Sequence, residues 1–566
     1  MEYSRWLTSS FVDDNTKKEI EKMDEETLKS AFAGFMSFGT AGLRAKMMPG
    51  TAMMNIYTVA HATAGLAKLI LSLGGDAAKC GVVIAYDSRN NSETFARRAA
   101  EVLSAYGIKV YIFPELRPTP CLSFAVRYLN CIAGINITAS HNPAEYNGYK
   151  AYWEDGAQIS PETAKVICDE INKTDILDGV PAPDKADKSL IFTVSPEVDE
   201  AYKKCVLAER VNPDAIPAVA EDFRIVYTPL HGAGIKMVPD VLKEAGLKYL
   251  YTVEEQAKPD GNFPTLHFPN PEFPEAFDIG RVLAEKEGSD LIVATDPDSD
   301  RVGVMARDKN GEFRCITGNQ MGALLLDYII TAHKEKNTMP PEPYAIKTIV
   351  TTALAEIICR QNGVEIYDVL TGFKYIGEVI KNHLKSGHGS FLLGYEESYG
   401  YLKGTYARDK DAVVASLLIC EMAAYYFKKG MTLCDALTGL FEKYGYYLEK
   451  TENFYFDTPD GKEIMKSVTA KLRENPLTAV AGRKVKIIRD YQSGIIKNLE
   501  TGEETPTGLP SSDILYYVCD GCITVIRPSG TEPKLKLYFL ANGKSESEAT
   551  NEIKECSEYM KGVAGL

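Results

Sequence analysis

Three times along this chain the same order of apolar patterns recurs: strand, helix, strand, helix, strand. The first unit places strands at Val82–Tyr86, Ile108–Phe113 and Ile132–Ile137, with helical patterns at Ser92–Tyr106 and Pro120–Leu129. The second runs Phe223–Tyr227, Ile235–Ala245, Tyr249–Val253, Pro274–Glu287, Asp290–Ala294, and the third Tyr344–Val350, Ala353–Gln361, Val364–Val369, Phe373–Leu384, Ser390–Leu393. Strands alternating with helices predict βαβ crossovers and mainly parallel sheets. No repeat of residue identity accompanies this repeat of order.

Each unit closes on a strand that empties into a polar loop. These loops are Thr138-Ala139-Ser140-His141-Asn142-Pro143, Asp296-Pro297-Asp298-Ser299-Asp300-Arg301 and Gly394-Tyr395-Glu396-Glu397-Ser398. Ligands of open α/β sheets bind outside the carboxyl ends of the strands, so three such loops predict three walls of one cleft. From about Thr451 the pattern changes to strands and turns, including Lys484–Arg489, an Asp520-Gly521 hairpin and a fourth polar loop, Arg527-Pro528-Ser529-Gly530-Thr531. The expected fold is α/β: three similar βαβ units with mixed, mainly parallel sheets and a smaller α+β C-terminal domain. Expected spans are 1–208, 209–318, 319–450 and 451–566.

A length of 566 residues agrees with roughly three to five domains. The net charge of -15 argues against nucleic acid or an anionic membrane as a partner, because phosphate backbones need clustered Lys and Arg. A phosphorylated substrate would instead need local positive charge. The 12 cysteines are too sparse for a disulfide scaffold, and Cys519 and Cys522 flank the Asp520-Gly521 turn on facing strands. Met1–Phe11 lacks the apolar core of a signal peptide. Ala412–Phe427, interrupted by Glu421, is too short to span a membrane. A cytosolic protein is expected.

Asp296, Asp298 and Asp300 follow the buried-type strand Leu291-Ile292-Val293-Ala294. Three clustered carboxylates repel one another unless a cation neutralises them, and oxygen ligands fit Mg²⁺ or Ca²⁺ rather than zinc. An EF-hand would place Gly and Glu where Arg301 and Arg307 stand. Mg²⁺ takes a few carboxylates plus phosphate oxygens, so Ser140, in its own post-strand turn, is a candidate phosphoryl acceptor at this centre. A serine hydrolase would need a Gly-x-Ser-x-Gly elbow. Lys150, after the turn Asn147-Gly148, and Arg44, in Gly39-Thr40-Ala41-Gly42-Leu43-Arg44, are the basic candidates beside Ser140. A buried Lys near Arg can have a pKa depressed enough for acid–base work. Arg527, Ser529, Gly530 and Thr531 form a natural phosphate cradle, and Glu396-Glu397-Ser398 offers acceptors for sugar hydroxyls.

Together these motifs resemble those of the α-D-phosphohexomutase superfamily of phosphoglucomutases and phosphomannomutases, and most of all its bacterial phosphoglucomutase and phosphopentomutase-like branch. Gly-Thr-Ala-Gly-Leu-Arg, Thr-Ala-Ser-His-Asn-Pro, Asp-x-Asp-x-Asp-Arg, Gly-Tyr-Glu-Glu-Ser and Arg-Pro-Ser-Gly-Thr occur in the family's order from Gly39 to Thr531. The resemblance implies four domains around a deep cleft. Ser140 would be the phosphoserine, and Ser140, Asp296, Asp298 and Asp300 would hold one Mg²⁺. Arg44, Lys150 and His141 would serve the reacting group. Glu396, Ser398, Arg301, Lys374 and Arg408 would bind substrate, and Arg527, Ser529, Gly530 and Thr531 its distal phosphate. Pro297 replaces a common family Gly, and Tyr395 stands where hexomutases commonly carry Gly, which opens the question of sugar preference.

The expected reaction interconverts glucose 1-phosphate and glucose 6-phosphate through a sugar bisphosphate, glucose 1,6-bisphosphate, with closure of the C-terminal segment excluding water. Phosphopentomutase or phosphomannomutase activity is the alternative, and a sugar-phosphate phosphohydrolase a more distant one. The expected partners are small sugar phosphates, and the expected assembly is a monomer or weak dimer.

Overall fold

A computed structural model describes residues 2–36, 42–456, 461–529 and 534–565. Its first three sheets share one plan. In each, three parallel strands lie in the order second, first, third: Val110–Ile112, Val82–Tyr86, Ala133–Ile137; then Tyr249–Thr252, Arg224–Thr228, Leu291–Thr295; then Glu365–Val369, Pro343–Thr348, Ser390–Glu396. Val82–Tyr86, Ala133–Ile137 and Leu291–Thr295 are buried at every residue. Burial on both faces is what a parallel sheet covered by crossover helices requires.

The third strand of each trio then meets an antiparallel return strand: Tyr146–Trp153, Val302–Arg307 and Gly400–Leu402. Each polar loop is therefore the tip of a hairpin. Asn147-Gly148, expected as a turn, lies inside the return strand Tyr146–Trp153. A Cβ on Gly148 would meet the Thr138 carbonyl oxygen at 2.5 Å and that of Leu43 at 2.7 Å. Gly148 thus serves a close approach of strands rather than a reversal.

The helix Ala412–Phe427 is buried almost all round, within one apolar cluster containing residues from all three of these units. Glu421 inside it is fully buried, and it accepts the Val211 and Asn212 N–H groups at 3.1 and 2.9 Å and the Tyr328 hydroxyl at 2.9 Å. No helix among the described residues is long and apolar enough to cross a membrane.

The fourth sheet is antiparallel throughout its main path. Asp520-Gly521 joins Leu515–Cys519 to Cys522–Pro528, as its two-residue turn predicts. The sheet begins at Tyr446 rather than at Thr451, because Tyr446–Tyr455 pairs along its whole length with Lys534–Gly543. Ile349, Val350 and Leu370 of the third unit pack against Tyr516 and Tyr538 of this sheet and against Tyr491 and Ile514 at the ends of its strands, which brings the end of the Cys522–Pro528 strand toward the Glu396 loop.

Candidate active site

Ser140 stands at the tip of the first hairpin with φ +53°, a left-handed conformation uncommon for a residue with a Cβ. Its N–H donates to Thr138 Oγ1 at 2.8 Å. Its hydroxyl lies 2.8 Å from Asp296 Oδ2 and 3.2 Å from His141 Nδ1. Burial, with Arg301 and Arg44 nearby, holds the His141 imidazole well below its ordinary pKa, so the ring is neutral.

The acidic trio is buried: Asp296 and Asp298 are fully enclosed and Asp300 is 1% exposed. One oxygen of each carboxylate can be set within 4.8 Å of the others. Asp296 Oδ1 accepts the N–H groups of Asp300 and Arg301 at 3.1 and 3.0 Å. Asp298 Oδ2 takes Lys150 Nζ at 2.7 Å and the Thr119 hydroxyl at 2.9 Å. Asp300 Oδ2 takes Lys150 at 3.3 Å and Lys410 at 3.1 Å. The other oxygens, Asp298 Oδ1 and Asp300 Oδ1, are buried without a hydrogen-bond partner among the described residues.

Buried carboxylate oxygens left unbonded call for a cation. Together with Ser140 Oγ and Asp296 Oδ2 they make an all-oxygen donor set suited to a hard divalent ion. The charges read the same way. Burial, and then the charges of Asp298 and Asp300, push Asp296 well above the usual carboxylate range. Burial also raises Asp300, but Lys410, Lys150 and Arg301 outweigh it and hold that carboxyl below its ordinary value.

Lys150 departs from expectation. Burial alone would lower its ammonium pKa, yet Asp298 and Asp300 raise it above the ordinary value. Two carboxylates at hydrogen-bond distance exceed the desolvation that a neighbouring Arg would have reinforced.

Arg44 lies on the edge strand Leu43–Lys46, opposite Gly148, and its Nη1 donates to Asn142 Oδ1 at 2.8 Å. Gly42 before it has φ +82°, and a Cβ there would meet the Tyr149 carbonyl at 2.2 Å. Gly39, Thr40 and Ala41 lie outside the described residues. Arg301 pairs with Glu272 at 2.8 Å, beside Asp300 at 3.9 Å.

Glu396 ends the strand Ser390–Glu396, and its Oε1 accepts the Gly372 N–H at 2.8 Å. Burial raises its pKa, against Lys410. Ser398 is half-buried in the following turn. Tyr395, the alternate residue on the strand, points the other way. It is fully buried, and its ring occupies the space that a Cβ on Gly322 would fill. Its substitution for Gly therefore belongs to the core face rather than the cleft face of that strand.

The structure does not bring Arg408 to the acidic trio. Its Nη1 donates to the Thr405 and Ala407 carbonyls, the latter at 2.9 Å, and its N–H to Ser123 Oγ at 2.8 Å. Two residues on, Lys410 does reach the trio: it binds Asp300 and Asp409 at 3.1 Å each, and its ammonium sits 5.6 Å from the Phe373 ring centroid. The sequence reading missed Lys410, although Arg408-Asp409-Lys410-Asp411 is a dense run of charge. Asp411 starts the helix at Ala412 by accepting the Val413 and Val414 N–H groups at 2.8 and 3.0 Å, which holds Lys410 in place. Lys374 lines a cavity of about 400 Å³ with Trp153, Glu162, Tyr375 and Glu378.

Burial lowers the Arg527 guanidinium pKa, but Tyr538, Glu397 and Glu396 outweigh it and leave it above its ordinary value. Its cross-strand partner is Lys536, and burial, against Glu397, lowers that ammonium. Alternation in Lys534-Leu535-Lys536-Leu537 could have flagged Lys536 beside Arg527. The Ser529 N–H donates to the Lys534 carbonyl at 2.7 Å. Gly530 and Thr531 lie outside the described residues.

Comparison with known proteins fits this arrangement. Models of the phosphoglucomutase/phosphomannomutase α/β/α domains I, II and III match residues 36–177, 200–311 and 317–444. A phosphoglucomutase of Staphylococcus saprophyticus is 36% identical over 562 residues, covering 99% of each chain. One from Staphylococcus aureus strain MSSA476 is 35% identical over 555 residues, 98% of each chain. The crystal structure of pp63/parafusin, a phosphoglucomutase from Paramecium in its open form, matches with a TM-score of 0.69 at 18% identity, over 95% of this chain and 96% of that one. That likeness concerns the fold alone. The chain belongs to the phosphoglucomutase/phosphomannomutase family.

Proposed function

We propose that this protein is a phosphoglucomutase that interconverts glucose 1-phosphate and glucose 6-phosphate through phosphorylated Ser140 and a bisphosphorylated sugar. One observation carries the reading: the Ser140 hydroxyl is hydrogen-bonded to Asp296 inside a buried carboxylate trio in which Asp298 Oδ1 and Asp300 Oδ1 have no hydrogen-bond partner among the described residues. Curated relatives named phosphoglucomutase, alike over nearly the whole chain, support the choice of sugar.

Asp296, Asp298 and Asp300, with Ser140, would hold Mg²⁺, which when bound would supply positive charge to the phosphoryl oxygens. Ser140 Oγ carries the phosphoryl group and exchanges it with a sugar hydroxyl. Lys150, fixed by Asp298 and Asp300, offers a cationic donor beside that exchange. Neutral His141 adjoins the serine oxygen, and Arg44 stands over the same loop through Asn142. Glu396 and Ser398 take sugar hydroxyls with Lys410 as a third contact. Arg527, Ser529, Gly530 and Thr531, with Lys536, hold the phosphate that does not react. Arg301, Lys374 and Arg408 remain further substrate contacts in this proposal. The four spans named from the sequence, 1–208, 209–318, 319–450 and 451–566, are part of it.

The test is turnover of glucose, mannose, ribose and deoxyribose 1-phosphates, with inorganic phosphate measured in parallel. Glucose 1-phosphate is expected to be converted fastest without phosphate release. Faster conversion of a pentose phosphate, or release of phosphate without a bisphosphate primer, would overturn the assignment.

A further inference from the structure

We infer that Arg89 is a positioning residue that sets the Ser140 loop for phosphoryl transfer. The inference rests on the reading of Ser140 as the phosphoryl carrier. Arg89 lies in the loop after the first strand, Val82–Tyr86, and its side chain is completely buried. Nη1 donates to the Pro143 and Tyr146 carbonyls at 2.8 and 3.0 Å, and Nη2 donates to the Ser140 carbonyl at 2.6 Å and to that of Asn142. One planar guanidinium therefore gathers four carbonyl oxygens of a single loop, and the first belongs to Ser140 itself.

The loop needs such a clamp. Ser140 is held at φ +53°, and a residue with a Cβ keeps that conformation only where its surroundings over-determine it. Arg89 donates to the Ser140, Asn142 and Tyr146 carbonyls and adds a second donor to that of Pro143, which also accepts the Tyr146 N–H at 3.1 Å; a carbonyl turned inward needs such a donor. Arg89 satisfies them from below while Thr138 Oγ1 receives the Ser140 N–H. Asp87 completes the frame: its side chain is also fully buried, lies 3.4 Å from Arg89 Nε, and accepts the Arg89 N–H at 2.9 Å and the Ser92 hydroxyl at 2.7 Å. Phe263, from the second unit, lies with its ring centroid 5.0 Å from the guanidinium carbon. The clamp thus ties the serine loop of one unit to the unit that carries the acidic trio.

Lysine cannot replace it. A single ammonium has three donors and no planar fork, so at least one of the four carbonyls loses its side-chain donor. The serine oxygen then shifts relative to Asp296, and a displacement of about 1 Å in a reacting group costs about 10²-fold in rate.

The experiment compares Arg89→Lys and Arg89→Ala with wild type and with Ser140→Ala, using glucose 1-phosphate. For Arg89→Lys we expect kcat to fall by about 30- to 100-fold and KM to stay within about threefold, because no sugar contact changes. For Arg89→Ala we expect millimolar guanidinium, but not methylammonium at equal ionic strength, to restore kcat at least about tenfold, since only a planar donor refills the site. Arg89→Lys with kcat within threefold of wild type would overturn the inference. So would loss in Arg89→Ala that guanidinium does not recover, or a rise in KM equal to the fall in kcat. If Arg89→Ala fails to fold, Arg89→Lys, which retains the charge beside Asp87, decides alone. Turnover by Ser140→Ala would instead reject the carrier reading itself, a separate result.

Discussion

Ser140 and Asp296 are 156 positions apart in the chain and 2.8 Å apart at their side-chain oxygens. If Ser140 Oγ carries the phosphoryl group, no neighbouring atom can substitute for it. Ser140→Ala should lower mutase turnover by at least about 10³-fold while leaving thermal unfolding within about 1 kcal/mol of wild type. A coupled glucose 6-phosphate assay and a melting curve check both halves, and wild-type turnover would remove Ser140 from the reaction.

Asp298 Oδ1 and Asp300 Oδ1, which have no hydrogen-bond partner among the described residues, predict a metal effect on stability as well as on rate. An ion bound only by the folded chain stabilises it by about 2.7 kcal/mol at a hundredfold excess over Kd. Titrating Mg²⁺ into chelator-treated protein should therefore raise Tm, and Asp298→Asn should blunt the rise. A Tm indifferent to Mg²⁺ would argue that Lys150 and Lys410 alone neutralise the trio.

Arg527 and Lys536 face each other across paired strands near Glu397. Hydrogen bonds to a charged group contribute about 1.5–3 kcal/mol. Arg527→Ala should thus raise KM for glucose 1-phosphate by about 10- to 100-fold with a smaller change in kcat, and Lys536→Ala should do the same more weakly. An unchanged KM in both variants would place the distal phosphate elsewhere.

Much of this site was legible because its chemistry lies in short loops after apolar strands, where local pattern and motif coincide. Ser140 and Asp296, Asp298 and Asp300 are of that kind. What stayed hidden was set by contacts between distant segments. Tyr146–Trp153 hides as a strand because Asn147-Gly148 looks like a turn until Leu43 and Thr138 are seen to crowd Gly148. Lys410 and Arg408 look alike in the sequence, because only the helix start at Asp411 decides which of the two reaches Asp300. Arg89 carries no motif of its own; its four carbonyl partners begin 51 positions away.

Glu449, on the strand Tyr446–Tyr455 that opens the fourth sheet, predicts a pH dependence. Burial pushes its carboxyl from 4.5 up to about 7, against a hydrogen bond from Thr352 and the charge of Lys347. A carboxyl raised on folding binds its proton more tightly in the folded state, so its contribution to stability is full below about pH 4.5 and is lost as pH rises through about 7. Glu449→Gln, permanently neutral, should match wild type in Tm near pH 5 and exceed it near pH 8. An equal difference at both values would show that Glu449 ionises normally.

Gly322, in the helix Gly318–Lys336, faces Tyr395 so closely that an added Cβ would sit 2.0 Å from ring atom Cε2. The ring is fully buried and cannot swing into solvent, so Gly322→Ala should overpack the core and destabilise the protein by about 1–3 kcal/mol. Tyr395→Leu added to Gly322→Ala should recover part of that loss, because the smaller side chain vacates the contested space. The Tyr395 hydroxyl is buried without a hydrogen-bond partner among the described residues, so Tyr395→Phe should be neutral or slightly stabilising. It should also leave the ratio of glucose to mannose 1-phosphate turnover unchanged, because the ring lies on the strand face opposite Glu396. A shifted ratio in Tyr395→Phe would mean that the packing behind the strand, and not only its cleft face, selects the sugar.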